Sequence, residues 1–248
     1  MCTVILLHRP GHAWPVLIAA NRDEMLDRAW DPPGAWWPDR PGVTGGRDRL
    51  SGGTWMAANR AGVMAAVLNR PGSLGPATGK RSRGDLPLLA VAADTAGAAA
   101  AAIAALPAAE WRPFNMVVAD RTGGIFLRGE GRGRPEAVPL PPGLSMVTAH
   151  EPNDLASPRT ARHLPRFRAA TPPNPGQDGW AAWEALLADD STAESRADSL
   201  RVPPADGFGT VCASLLAIDA AGGLQWHFAD GPAGAAPFRP VRTGAVPG

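Results

Sequence analysis

The chain has 248 residues with 24 basic and 23 acidic side chains, a net charge of +1, and this balance leaves no chain-wide basic field for nucleic acid or an anionic membrane surface. The length suits one large domain over residues 1–248, and two cysteines are too few for a disulfide framework, so a reducing, cytoplasmic setting is the expectation, with a single bridge the alternative. The basic side chains are almost all Arg, with Lys80 the one Lys, and Ala, Gly and Pro are abundant, a bias that fits a GC-rich bacterial genome.

The first two dozen residues organise the rest. Val4 to Leu7 and Val16 to Ala20 are apolar runs separated by a break at His8-Arg9-Pro10-Gly11, which predicts a β-hairpin. The same break, with no basic segment before it, argues against a signal peptide. The second run leads into Asn21-Arg22-Asp23-Glu24. Folding the hairpin sets the end of its second strand beside Cys2, so the thiol is expected near the Asp23 carboxylate and the Asn21 amide. Strand alternation puts Asn21 and Asp23 on one face and Glu24 on the other. Arg22 reads as a buried ion-pair partner.

Initiator Met is commonly removed before a residue as small as Cys, and the freed α-amine, with a pKa of about 7.7 to 8, is then able to take the proton of its own thiol. Cationic neighbours are expected to hold that thiol below its free value of about 8.5. The plain alternative is a small apolar residue that starts a strand.

Asp27 to Asp48, dense in Pro, Gly and Trp, reads as a long loop that either covers a pocket or is packed beneath by its aromatics. Gly52 to Ala58 and Gly62 to Asn69 predict a second hairpin, after which Arg70-Pro71-Gly72 turns the chain away. Pro71 to Arg83 is a loop carrying Lys80, Arg81 and Arg83, positive charge suited either to an anionic ligand or to solvent. Asp85 is a candidate N-cap for the Ala-rich tract Leu88 to Leu106, which is too weakly hydrophobic to cross a membrane and reads as one or two helices.

Phe114 to Ala119 and Gly124 to Arg128 predict a third hairpin, and Leu144 to Ala149 a strand ending at His150. Ser157-Pro158 starts a helix, Trp180 to Ala188 forms another, and Thr210 to Asp219 with Leu224 to Phe228 makes the last hairpin. Beyond Phe228, from about residue 230, a Gly/Pro/Ala tail is expected to be poorly ordered.

Met1-Cys2, Leu17-Ile18-Ala19-Ala20-Asn21-Arg22-Asp23-Glu24 and Gly52-Gly53-Thr54-Trp55, followed by Arg83-Gly84-Asp85, Phe114-Asn115 and Gly209-Thr210, resemble the NRDE family, the relatives of Transport and Golgi organisation protein 2. The family in turn is similar to N-terminal-nucleophile hydrolases of the bile-salt-hydrolase and penicillin-acylase type. That resemblance implies an α+β fold, a four-layer αββα sandwich with antiparallel sheets. It also implies a catalytic group of Cys2, Asn21, Arg22, Asp23 and Asn69, with Asn69 donating to the oxyanion, a contribution of roughly 3 to 4 kcal/mol where such donors have been removed. Trp55, Arg83 and His150 are the corresponding substrate-binding candidates, His150 being the nearest match to an Asn of those hydrolases. The family often carries Arg where Val211 follows Gly209-Thr210 here.

The leading expectation is a cysteine amidohydrolase for a small amide or acyl substrate, with no cofactor required. The alternative, implied by the same resemblance, is a non-catalytic haem or acyl-chain carrier. The five histidines show no haem-attachment or zinc-ligand spacing. A third reading, a protein-interaction scaffold, would use the Trp-rich loop.

Overall fold

The first hairpin is present and longer than its apolar runs. In the computed structural model, which describes residues 2–177, 179–192 and 195–243, β1 (Thr3–His8) and β2 (Val16–Met25) pair antiparallel from Thr3 opposite Asn21 to His8 opposite Val16. The further strands are β3 (Trp30–Gly34), β4 (Thr44–Asp48), β5 (Met56–Ala58), β6 (Met64–Asn69), β7 (Phe114–Asp120), β8 (Gly123–Gly129), β9 (Glu136–Pro139), β10 (Gly143–Val147), β11 (Phe208–Ile218), β12 (Leu224–Ala229) and β13 (Phe238–Pro240). The helices are α1 (Asp85–Ala90), α2 (Ala96–Ala104), α3 (Pro158–Ala169) and α4 (Ala181–Leu187).

The strands form two antiparallel sheets, ordered β10-β1-β2-β11-β12-β13 and β3-β4-β5-β6-β7-β8-β9. Alternation decides what each face meets. Val4, Leu6, Ile18 and Leu216 of the first sheet pack against Met64, Leu68 and Val117 of the second. Ile5, Leu17 and Leu215 point outward onto Leu164, Phe167 and Trp183 of α3 and α4. Ala65, Met116 and Val118 do the same onto Leu86, Ala99 and Ile103 of α1 and α2. Both sheets are therefore covered on both faces, which gives the αββα layering and explains why β2 and β11 read as near-continuous apolar runs.

Local signals hold at most boundaries. Ser157 accepts from the Thr160 amide at 3.3 Å and Pro158 occupies the first turn of α3, as expected. The Ala-rich tract divides into two helices because Thr95 adopts extended backbone and its hydroxyl caps α2, accepting from Ala98 at 3.1 Å. The cap of α1 is Gly84, not Asp85, which lies inside the first turn where its charge still suits the helix dipole.

Two expectations are corrected. The stretch Asp27 to Asp48 is not all loop: it contains β3 and β4, and Pro32-Pro33 are tolerated because β3 is a sheet edge, where missing N–H groups break no ladder. The tail beyond Phe228 is ordered through β13, whose Phe238 pairs with Ala229, while residues 244–248 lie outside the described residues. Among the described residues no helix is long and apolar enough to cross a membrane.

Candidate active site

Cys2 stands one residue before β1, on the side of the first sheet that faces the second. It borders a cleft of about 390 Å³ whose walls include Arg22, Glu24, Arg28, Asp48, Trp55, Asn69 and Arg83. Its Sγ donates to the backbone carbonyl of Asp23 at 3.7 Å. Burial pushes the thiol above its usual value and the Asp23 charge adds to the push, against opposing pulls from the chain's N-terminal charge, the hydrogen bond to the Asp23 backbone and Arg22. With Met1 still attached, desolvation at the sheet end outweighs the cationic neighbours; the expected depression concerned the Met-free chain.

Cys212 pairs across the ladder with Arg22, so β2 runs between the two cysteines. Two strand spacings separate their backbones by roughly 9–10 Å, beyond the roughly 7 Å that a disulfide spans. Both are free, and deep burial raises the Cys212 thiol as well.

Asn21 and Asp23 do share a face, but not the one Cys2 packs on. The Asn21 amide donates to Leu187 O at 3.0 Å and Leu200 O at 3.1 Å, tying β2 to the helical layer. Asp23 accepts from Thr210 Oγ1 at 2.6 Å and from Arg159 Nη1 at 2.9 Å, and Arg159 also donates to Thr3 Oγ1 at 2.9 Å. What Asp23 presents to the Cys2 sulfur is its backbone carbonyl. Glu24, expected to be remote, lines the cleft and pairs with Arg22 at 3.5 Å and Arg28 at 3.8 Å.

Arg22 is buried, as predicted, with its guanidinium 4.3 Å from the Trp55 ring and 4.0 Å from Asp48. Asp48 also accepts from Arg28 at 2.6 Å and from the amides of Leu50 and Ser51. Trp55 is able to lie flat at this point because Gly46 has no side chain: a Cβ there would sit 2.1 Å from the indole. Trp30 braces Trp55 edge-on at 5.7 Å, so the Trp-rich segment packs beneath the site.

Asn69 ends β6 opposite Phe114 and reaches the same cleft as Cys2. Arg83 comes to it because the backbones of Gly53 and Gly84 touch: a Cβ on Gly53 would meet the Gly84 carbonyl carbon at 2.6 Å, and Thr54 N donates to Gly84 O at 3.0 Å. Burial, followed by repulsion from Arg112, lowers the Arg83 pKa to about 10, which leaves it cationic at neutral pH.

His150 is not part of the cleft. Its ring lies 3.6 Å from Asp154, and its carbonyl accepts from Asn115 at 2.7 Å. Asn115 spans the two sheets, donating also to Thr148 O and accepting from Arg70, so this matched position is structural. Sequence reasoning gave no role to Arg28, Asp48 and Arg159; they are distant in the chain and carry no local pattern.

The sequence profile of the Transport and Golgi organisation 2 family matches residues 1–229. The chain belongs to this family. Among solved structures, a Caenorhabditis elegans N-acylethanolamine-hydrolyzing acid amidase ortholog is similar with a TM-score of 0.57 and 12% identity over 89% of this chain and 93% of that one. A mutant conjugated bile acid hydrolase from Clostridium perfringens has a TM-score of 0.48 and 10% identity over 92% and 88% of the two chains. No curated protein matches by sequence. At 12% identity the amidase likeness establishes the fold, that of the N-terminal-nucleophile hydrolases. Within this Transport and Golgi organisation 2 chain, Val211 falls at an irregularity in the β11–β2 register and packs with Phe228, Trp30 and Trp55. An apolar pocket therefore takes the side chain where the resemblance leads one to expect Arg.

Proposed function

We propose that the chain is an N-terminal cysteine amidohydrolase acting on a small amide or acyl substrate. The observation that carries this reading is that Cys2, just before the start of β1, and Asn69, at the end of β6, border one cleft in a fold of N-terminal-nucleophile type. Met1 lies outside the described residues; with it removed, the α-amine of Cys2 takes the thiol proton. That base is needed, because burial raises the thiol pKa. The thiolate adds to the amide carbonyl, and the oxyanion accepts from the Asn69 amide. The leaving amine departs with the proton. Water, deprotonated by the same α-amine, then cleaves the thioester.

Intact mass and single-turnover trapping test this. Protein from its native host lacks Met1, and an acyl substrate leaves an acyl mass on the Cys2 peptide that Cys2→Ala never carries. A mass that retains Met1 removes the mechanism.

Acyl-chain carriage without turnover is the second reading, favoured by the desolvation that raises the thiol pKa. Haem carriage has less support, because no histidine lines the cleft and iron would fall to Cys2. Saturable acyl binding without any acyl-enzyme would decide for the carrier.

A further inference from the structure

Half of the basic side chains along the cleft have an acid. Arg22 and Arg28 share Glu24 and Asp48, and Arg81 pairs with Asp85 and Glu110. Arg83 forms no ion pair among the described residues. Its Nη1 donates to Ser73 O at 2.5 Å, Ser73 Oγ at 2.9 Å and Pro113 O at 3.2 Å, while Nε and Nη2 make no hydrogen bond among these residues. Arg112 donates to backbone carbonyls of Gly72, Leu74 and Pro76, and Lys80 to Ala109 O, again without a carboxylate.

Neutral carbonyls orient a guanidinium but leave its charge uncompensated, and a partly desolvated cation without an anion is costly to hold. Arg83 is such a cation, and Arg112 and the exposed Lys80, also without a carboxylate, line the same cleft as Cys2. The lining also carries apolar side chains: Leu50, 78% exposed, Leu74, 54% exposed, and Trp55 and Val67.

We propose that the cleft takes an N-acyl amino acid, with the carboxylate on Arg83 and the acyl chain leaving past Leu50 and Leu74. The planar fork of Arg83 suits a carboxylate, and Arg112 and Lys80 add field without supplying the fork. Turnover of such a ligand rests on the amidohydrolase reading. The S–C bond forms as the C–N bond breaks, the thiol proton leaves on the amino acid, and water then breaks S–C to give the free acid and restore the thiol.

The test is calorimetry on Cys2→Ala protein with N-dodecanoylglycine and N-dodecanoylethanolamine, which share the chain and the amide and differ in head-group charge. N-Dodecanoylglycine binds at least roughly tenfold tighter at about 50 mM salt, the advantage shrinks towards about 500 mM, and Arg83→Gln abolishes it. Lys80→Gln, an exposed change, trims the advantage a few-fold. Equal or tighter binding of the ethanolamide, no binding of the glycine amide, or a salt-independent advantage overturns the proposal. The salt series needs no Arg83 variant, so the proposal stays testable if Arg83→Gln loosens the Ser73 turn. Wild-type turnover separates the two readings. Glycine amide that binds selectively but is never cleaved removes the hydrolase and leaves this inference standing; ethanolamide cleaved faster keeps the hydrolase and overturns the inference.

Discussion

Arg159 on α3 donates to the Asp23 carboxylate on β2 at 2.9 Å, and neither side chain is more than 3% exposed. The pair joins the helical layer to the strand beside Cys2. Removing one partner strands a buried charge, so Asp23→Ala loses about 3 to 5 kcal/mol, whereas Glu24→Ala, at a side chain 27% exposed, loses no more than about 1 kcal/mol. Urea midpoints check the order. The double change Asp23→Ala with Arg159→Met recovers part of the loss.

The Cys2 thiol labels more slowly near neutral pH than a free cysteine, because burial raises its pKa, and Asp23→Asn moves it down by removing one contributing negative charge. Cys212, more deeply buried, labels only on unfolding. Peptide mass spectrometry after limiting iodoacetamide across a pH series reads both. Labelling of Cys212 ahead of Cys2 in folded protein contradicts the assignment.

Asn69→Ala lowers acyl-enzyme formation by about 100- to 1,000-fold while leaving ligand binding and Cys2 labelling largely intact, since its amide meets the substrate oxygen only as charge develops. Parallel loss of binding would show a structural role instead.

His163 is wholly buried, donating from Nε2 to Asp198 O at 2.9 Å and accepting on Nδ1 from Arg166 at 3.2 Å. Burial lowers its pKa to about 4. The unfolded chain takes up a proton near pH 6.5 that the folded chain refuses until about 4, so stability falls as pH drops through that window, by up to about 1.4 kcal/mol per unit. Asp189, held at about 2 in part by Ser191 and Arg166, loses its contribution only below about 3.9, outside the window. Stability curves at pH 4.5 and 6.5, in wild type and His163→Gln, isolate the imidazole: the variant has the shallower slope.

Much of the architecture was legible because its causes are local. Apolar runs around Pro/Gly turns predicted the pairing of β1 with β2 and β7 with β8, and Ser157-Pro158 marked the start of α3. The segment Asp27 to Asp48 was not legible, since Pro and Gly read as loop and only the edge position of β3 admits them. His150 matched by position along the chain, and the turn after β10 carries it to Asp154 and out of the cleft.

The sequence by itself determined the hairpins, the alternation that puts Asn21 and Asp23 on one face, and the thiol at the start of a strand, because each depends on neighbours a few residues apart. Only the tertiary structure decided which face that was. The Asn21 amide finds its acceptors in Leu187 and Leu200, and Asp23 finds Arg159 and Thr210, all more than a hundred positions away. A buried polar side chain turns to wherever hydrogen-bond partners exist, and those partners appear only once the helical layer has closed over the sheet.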